Sequence, residues 1–134
     1  MIHLDTSFLV DLLREARRGD PGPATRKLDE LSDQDLTISL FVLCELEAGA
    51  ALSQQPEVEH ERLSAVVAPL AVCEPDARLA PLYGELLARL QKRGEAIASF
   101  DLLIAASALL DGAPLVTRNA KHFERIPGLT VIGY

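Results

Sequence analysis

A chain of 134 residues, 49% of them hydrophobic, is long enough to bury one core without disulfides or a structural metal, and residues 1–134 read as a single domain. A formal net charge of −7 excludes a protein that holds nucleic acid by bulk electrostatics, and four Phe, two Tyr and no Trp argue against an extended base-stacking platform. No apolar run reaches the roughly 18 residues of a membrane span, and the first residues carry neither a basic leader nor a small-residue cleavage site, so the chain is expected to be cytoplasmic with no membrane partner.

Ile2-His3-Leu4 reads as a short strand that runs directly into Asp5-Thr6-Ser7, a polar triplet suited to cap a helix continuing through Leu13. The stretch Gly19 to Pro23 breaks the chain, Ala24 to Leu31 resumes as a short helix, and Leu36 to Ser39 is a second strand. Helices are predicted over Phe41 to Leu52 and from about Val58 to Val67, the latter leading through Pro69 to the apolar segment Leu70 to Val72. Ala77 to Arg93 is a long amphipathic helix closed by Gly94. The next helix holds Asp101, with Ser99 as its expected cap, and ends at Gly112. Ala113 to Thr117 then reads as a strand, Asn119 to Glu124 as a short helix, Pro127-Gly128 as a turn and Leu129 to Ile132 as a last strand. Short apolar strands separated by helices predict the α/β class, with a parallel sheet covered on both faces.

Charge is unevenly spread. Leu36 to Asp76 holds seven acids and one base, whereas Ala77 to Tyr134 holds seven bases and five acids. Arg14, Arg17 and Arg18 form one basic cluster, Lys92 and Arg93 a second, and Arg118, Lys121 and Arg125 a third; each reads first as a solvated face. Cys44 and Cys73 lie outside any Cys-x-x-Cys and read as reduced core thiols. His3, His60 and His122 have no paired spacing, so they read as structural and zinc is not expected.

Three acids stand out. Asp101 is the only charge in the run from Ala96 to Leu110, and a carboxylate among apolar neighbours needs a cation, a metal or strong donors. In the first turn of its helix, backbone N–H groups favour its ionised form, so it suits a metal ligand or a carboxylate satisfied by those groups alone. Asp5 ends the first strand, where the loops of a parallel sheet gather ligands, although an Asp before a helix is equally a cap. Glu45 shares a helix face with Phe41, Ala48, Gly49 and Leu52, which makes it either a site residue or half of a buried ion pair; Glu47 points away from that face and reads as surface. Gathered at one sheet edge, the three suit a hard divalent cation, Mg²⁺ or Mn²⁺, and hence phosphodiester hydrolysis.

The segments Ile2 to Ser7, Ile38 to Gly49, Phe100 to Ala106, and Leu115 to Phe123 followed by Ile126 to Leu129 resemble, in order, the motifs of the PIN domain, and more closely those of the VapC toxins of bacterial toxin–antitoxin pairs. The resemblance covers the chain from its first strand to its last. It implies a three-layer α/β/α domain with a central, mostly parallel sheet, and a Mg²⁺- or Mn²⁺-dependent endoribonuclease that leaves a 5′-phosphate and a 3′-hydroxyl.

By that resemblance Asp5, Glu45 and Asp101 are the metal-binding acids, and Asn119 occupies the position of a fourth site residue, often Asp. An amide there removes one negative charge, which leaves one ion or two open, and a helix cap is the alternative. Thr6 and Ser7 are expected to orient Asp5, and Thr117 to do the same for Asn119. Arg14, Arg17, Arg18, Arg118 and Lys121 are candidates for RNA phosphate contacts. The family pattern further implies a tRNA or rRNA substrate, an antitoxin whose C-terminal segment blocks the site with a basic side chain, and a homodimer. Exposed apolar positions on the early helices could seat that partner. A catalytically weak binding scaffold and a metal-dependent DNA nuclease are the alternatives that the residues leave open.

Overall fold

Residues 1–134 are described by a computed structural model in which every predicted element is present. The strands are β1 (Ile2–Leu4), β2 (Leu36–Ser39), β3 (Ala71–Cys73), β4 (Leu115–Val116) and β5 (Val131–Ile132). The helices are α1 (Thr6–Arg18), α2 (Pro23–Glu30), α3 (Leu40–Leu52), α4 (Pro56–Val67), α5 (Leu79–Lys92), α6 (Ser99–Leu110) and α7 (Ala120–Phe123). All strand pairings are parallel, and the sheet order is β3-β2-β1-β4-β5.

That order puts the earliest strand at the centre. His3 is in register with Thr37 on one side and Leu115 on the other. From β1 the chain steps outward to β2 and β3, then returns across the sheet to β4. Because such crossovers share one hand, α1 to α4 cover one face while α5 and α6 cover the other. The packing agrees: α1 meets α2, α3 and α4, and α5 meets α6. The gap between β1 and β4, where the direction of strand addition reverses, is the crevice in which open parallel sheets hold ligands.

Leu4, Phe8, Leu9, Ile38, Val42, Leu102, Ile104, Leu115 and Val116 are fully buried and form the centre of the core. Helix α6 is buried along most of its length, from Leu102 and Ile104 through Ala108. Its small residues Ala105, Ala106 and Ala108 permit that close approach to the sheet.

Three boundaries differ from the sequence reading for identifiable reasons. Helix α1 continues past Leu13 to Arg18 and stops at Gly19, whose φ of 66° is left-handed. The apolar pattern breaks at Glu15, yet Glu15 is buried: its carboxylate accepts hydrogen bonds from the Gly22, Ala24 and Thr25 amides and the Thr25 hydroxyl at 2.7–3.0 Å. It thereby caps α2 from another helix. Strand β4 is two residues rather than five, because Pro114 has no N–H to donate to a ladder. Helix α6 is capped by Ala98, and Ser99 is its first helical residue without a capping bond.

Candidate active site

Asp5, at the end of β1, is the N-cap of α1 and accepts from the Phe8 amide at 2.9 Å. Capping accounts for one of its three donors. The Ser7 hydroxyl donates to Oδ1 at 2.7 Å, and the Thr117 hydroxyl, from the end of β4, donates to Oδ2 at 2.5 Å. Asp5 is only 3% exposed. Burial lifts its carboxyl above the ordinary carboxylate range, and the nearby charge of Asp101 adds to this; the bonds from Thr117, Phe8 and Ser7 pull it back only in part.

Glu45 projects from α3 into the same region, half-buried. Thr6 donates to its Oε1 at 2.6 Å. Thr6 therefore serves Glu45 rather than Asp5, while Ser7 does serve Asp5 as expected. No Lys or Arg pairs with Glu45 or Asp5, so neither is half of a buried ion pair.

Asp101 lies in the first turn of α6 with its side chain 37% exposed. Asp101 is thus accessible and Asp5 buried, the reverse of what the apolar run around Asp101 suggests. Its carboxylate does not bond the helix amides. It faces His122 of α7, whose Nε2 is 3.2 Å from Oδ2. The sequence reading takes His122 as structural; its approach to Asp101, 21 positions away, has no local signal in the sequence.

Asn119 precedes α7 and is exposed. Its backbone carbonyl accepts from the His122 and Phe123 amides, and its own amide donates to the Thr117 hydroxyl at 3.0 Å. The side chain makes no capping bond, so the carboxamide is free to face a ligand. Thr117 bridges the two site residues, donating to Asp5 and accepting from Asn119.

The basic candidates divide. Arg14 and Arg118 both bond Asp11 Oδ1, at 3.1 and 2.6 Å, and Tyr134 donates its hydroxyl to Oδ2 of the same carboxylate at 2.5 Å. Arg17 reaches Glu59 at 3.3 Å on α4. Arg18 and Lys121 are exposed and make no ion pair. A groove of about 580 Å³ between α1, α3 and α4 opens beside Glu45, with Val10, Leu13, Leu46 and Leu63 along its floor and Arg17 and Arg62 among its rim.

The donor set of Asp5, Glu45 and Asp101 is all oxygen, is drawn from three elements, and includes no paired Lys or Arg, which fits a hard divalent cation. In these rotamers the three carboxylates do not all lie within 4.8 Å of one another.

A family model for the PIN domain matches residues 2–129. Ribonuclease VapC2 of Rickettsia felis is 38% identical over 127 residues, covering 94% of this chain and 92% of that protein. The tRNA(fMet)-specific endonuclease VapC of Shigella flexneri is 34% identical over the same shares of the two chains. Among solved structures, VapBC2 from Rickettsia felis bound to a DNA fragment from its promoter superposes with a TM-score of 0.91 at 32% identity, covering 100% of this chain and 99% of that one. The parallel sheet, the acids gathered at its carboxyl edge and these similarities have one reading: the chain belongs to the PIN domain family.

Proposed function

We propose that this protein is the endoribonuclease toxin of a toxin–antitoxin pair, hydrolysing RNA phosphodiester bonds at the carboxylate cluster. The observation that carries this reading is Asp5: a buried acid, held by three donors and raised in pKa by its surroundings, with no cationic partner in the protein. A carboxylate maintained in that state is poised for a ligand cation.

Asp5, Glu45 and Asp101 would hold Mg²⁺ or Mn²⁺, which when bound lowers the pKa of a water and neutralises charge at phosphorus. The chain's own residues set the geometry. Ser7, Thr117 and the Phe8 amide fix the rotation of the Asp5 carboxylate, Thr6 fixes Glu45, and His122 limits the swing of Asp101. The free carboxamide of Asn119 can hydrogen-bond the attacking water or a phosphate oxygen. Water attack in line with the leaving oxygen forms a new P–O bond and breaks the P–O3′ bond. The water gives up a proton to solvent and the 3′-oxygen takes one up, leaving a 5′-phosphate and a 3′-hydroxyl.

Arg18 and Lys121 are the phosphate contacts best placed to act without first giving up a partner. Arg14, Arg17 and Arg118 would exchange a carboxylate for phosphate. The names of the Shigella flexneri and Salmonella typhimurium relatives point to tRNA as the substrate class. The VapBC complexes among the solved relatives point to an antitoxin partner. The groove beside Glu45 is its docking place, since a segment lying on Val10, Leu13, Leu46 and Leu63 would end at the carboxylates, where an Arg could occupy them. A homodimer completes the proposed assembly.

Purified protein with Mn²⁺ is expected to cut tRNA in preference to a DNA strand of matched sequence, with 5′-phosphate ends on the products. An uncut tRNA and rRNA pool, indistinguishable from one treated with Asp101→Ala protein, would sink the proposal. Thr117→Val is a finer check. It removes both the donor to Asp5 Oδ2 and the acceptor of the Asn119 amide, so cleavage should fall by about 10–100-fold and the Tm should drop as well. Unchanged cleavage would mean that Thr117 does not position Asp5.

A further inference from the structure

We propose that His3, Cys73 and Asp111 form a second cation site, selective for Zn²⁺ over Mg²⁺, that clips the edge strand β3 and the end of α6 to the central strand β1. His3 Nε2 lies 2.6 Å from Asp111 Oδ2, and Cys73 Sγ lies 3.3 Å from the same oxygen. All three ligand atoms fall within 4.8 Å of one another. They come from three elements: His3 from β1, Cys73 from the last position of β3, and Asp111 from the residue after α6.

A cavity of about 20 Å³ adjoins Cys73 and Asp111, with Glu74, Asp76, Ser107 and the cationic Arg78 also in its lining; His3 does not line it. That is the size of one water or one ion. It gives water access to Cys73 and Asp111, and a water entering from there would complete a tetrahedral zinc site with the three protein ligands. Around a tetrahedral Zn²⁺ the His3–Asp111 spacing would open from 2.6 Å to roughly 3.3 Å and the Cys73–Asp111 spacing from 3.3 Å to roughly 3.5 Å.

The chemistry of the ligands separates this site from the acid cluster. Thiolate, imidazole and carboxylate together favour a borderline-soft ion, whereas Asp5, Glu45 and Asp101 offer oxygen alone. Without an ion, Nε2–H and the Cys73 thiol both donate to Asp111, and burial together with Asp111 pushes the thiol up to about 11. On binding, the thiol proton leaves to solvent and the imidazole proton moves to Nδ1. The change of tautomer gives up the Nε2–H bond to Asp111 and leaves Nδ1–H buried without an acceptor, a cost that the bonds to the ion must exceed. The sequence reading, which took Cys73 for a core thiol and His3 for a structural residue, misses the cluster because its members are 38 to 108 positions apart.

The site stands independently of the nuclease reading, and Co²⁺ tests it on the reduced, full chain. Cobalt bound through Cys73 produces a thiolate-to-metal charge-transfer band in the near ultraviolet, which an all-oxygen site cannot give. The expected result is a band that saturates at one equivalent and is displaced by Zn²⁺. It should persist in Cys44→Ser and in Asp5→Asn, vanish in Cys73→Ser, and need at least tenfold more Co²⁺ in Asp111→Asn. Zn²⁺ should also raise the Tm of the wild type and of Asp5→Asn by a similar amount. The proposal is overturned by wild-type protein that shows no band in excess Co²⁺, or by a band that survives Cys73→Ser.

Discussion

Asp5→Asn protein is expected to lose RNA cleavage by more than about 100-fold and yet to melt at a higher temperature than the wild type when divalent ions are chelated. Activity and stability part company here because of how Asp5 is held. Burial and the neighbouring Asp101 charge raise its pKa in the folded state, so ionised Asp5 opposes folding at neutral pH, and that cost disappears only as pH falls through the raised value. An amide keeps the acceptor for the Phe8 N–H and the Ser7 hydroxyl, while its NH₂ can donate to Thr117 with the hydroxyl reversed. Adding Mn²⁺ should reverse the order, since the wild type gains stability from the bound ion and the variant does not. Melting curves in chelator and in Mn²⁺, set beside single-turnover cleavage, read both effects. A variant that melts several degrees below the wild type in chelator would show that Asp5 is chiefly a structural cap.

Glu15→Ala should be the most damaging substitution outside the core, costing about 2–4 kcal/mol by urea unfolding. It strips four hydrogen bonds from the start of α2 and leaves the Gly22, Ala24 and Thr25 amides without their acceptor. The fit is tight as well: a Cβ on residue 22 would stand 2.7 Å from the Glu15 carboxylate, so Gly22→Ala should reproduce part of the loss. Desolvation raises the Glu15 pKa, but the bonds from Thr25, Ala24 and Gly22 outweigh it and the net shift is downward. The sign follows from that. The stabilisation is complete above the ordinary value of 4.5 and drains away as pH falls through the lower, folded-state value, so wild type and variant should converge in acid. A stability gap that stays constant through that window would mean that charge on Glu15 contributes nothing.

Local signals were the legible ones. The strand at Leu36–Ser39 and the glycine that closes α5 were readable because each follows from neighbours in sequence. Membership of the PIN family was readable from the order of the motifs. What escaped depends on contacts between distant segments. Thr6 turns to Glu45, 39 positions away, and only the packing of α1 on α3 decides this. Glu15 looked like the end of an apolar stripe because its acceptor role exists only once α2 has folded back beside it. The same holds for the basic side chains. Arg14 and Arg118 read as free cations until Asp11 is found between them.

The position of β1 has a consequence for the protein's birth. The strand lies at the middle of the sheet, yet one of its two neighbours, β4, is made more than a hundred positions later. Asp5 cannot acquire its Thr117 donor, nor can Asn119 and His122 approach, until that late segment has emerged. Until then a nascent chain carries Asp5 without the donor and the neighbours that complete the cleft, so chain order delays the assembly of the site.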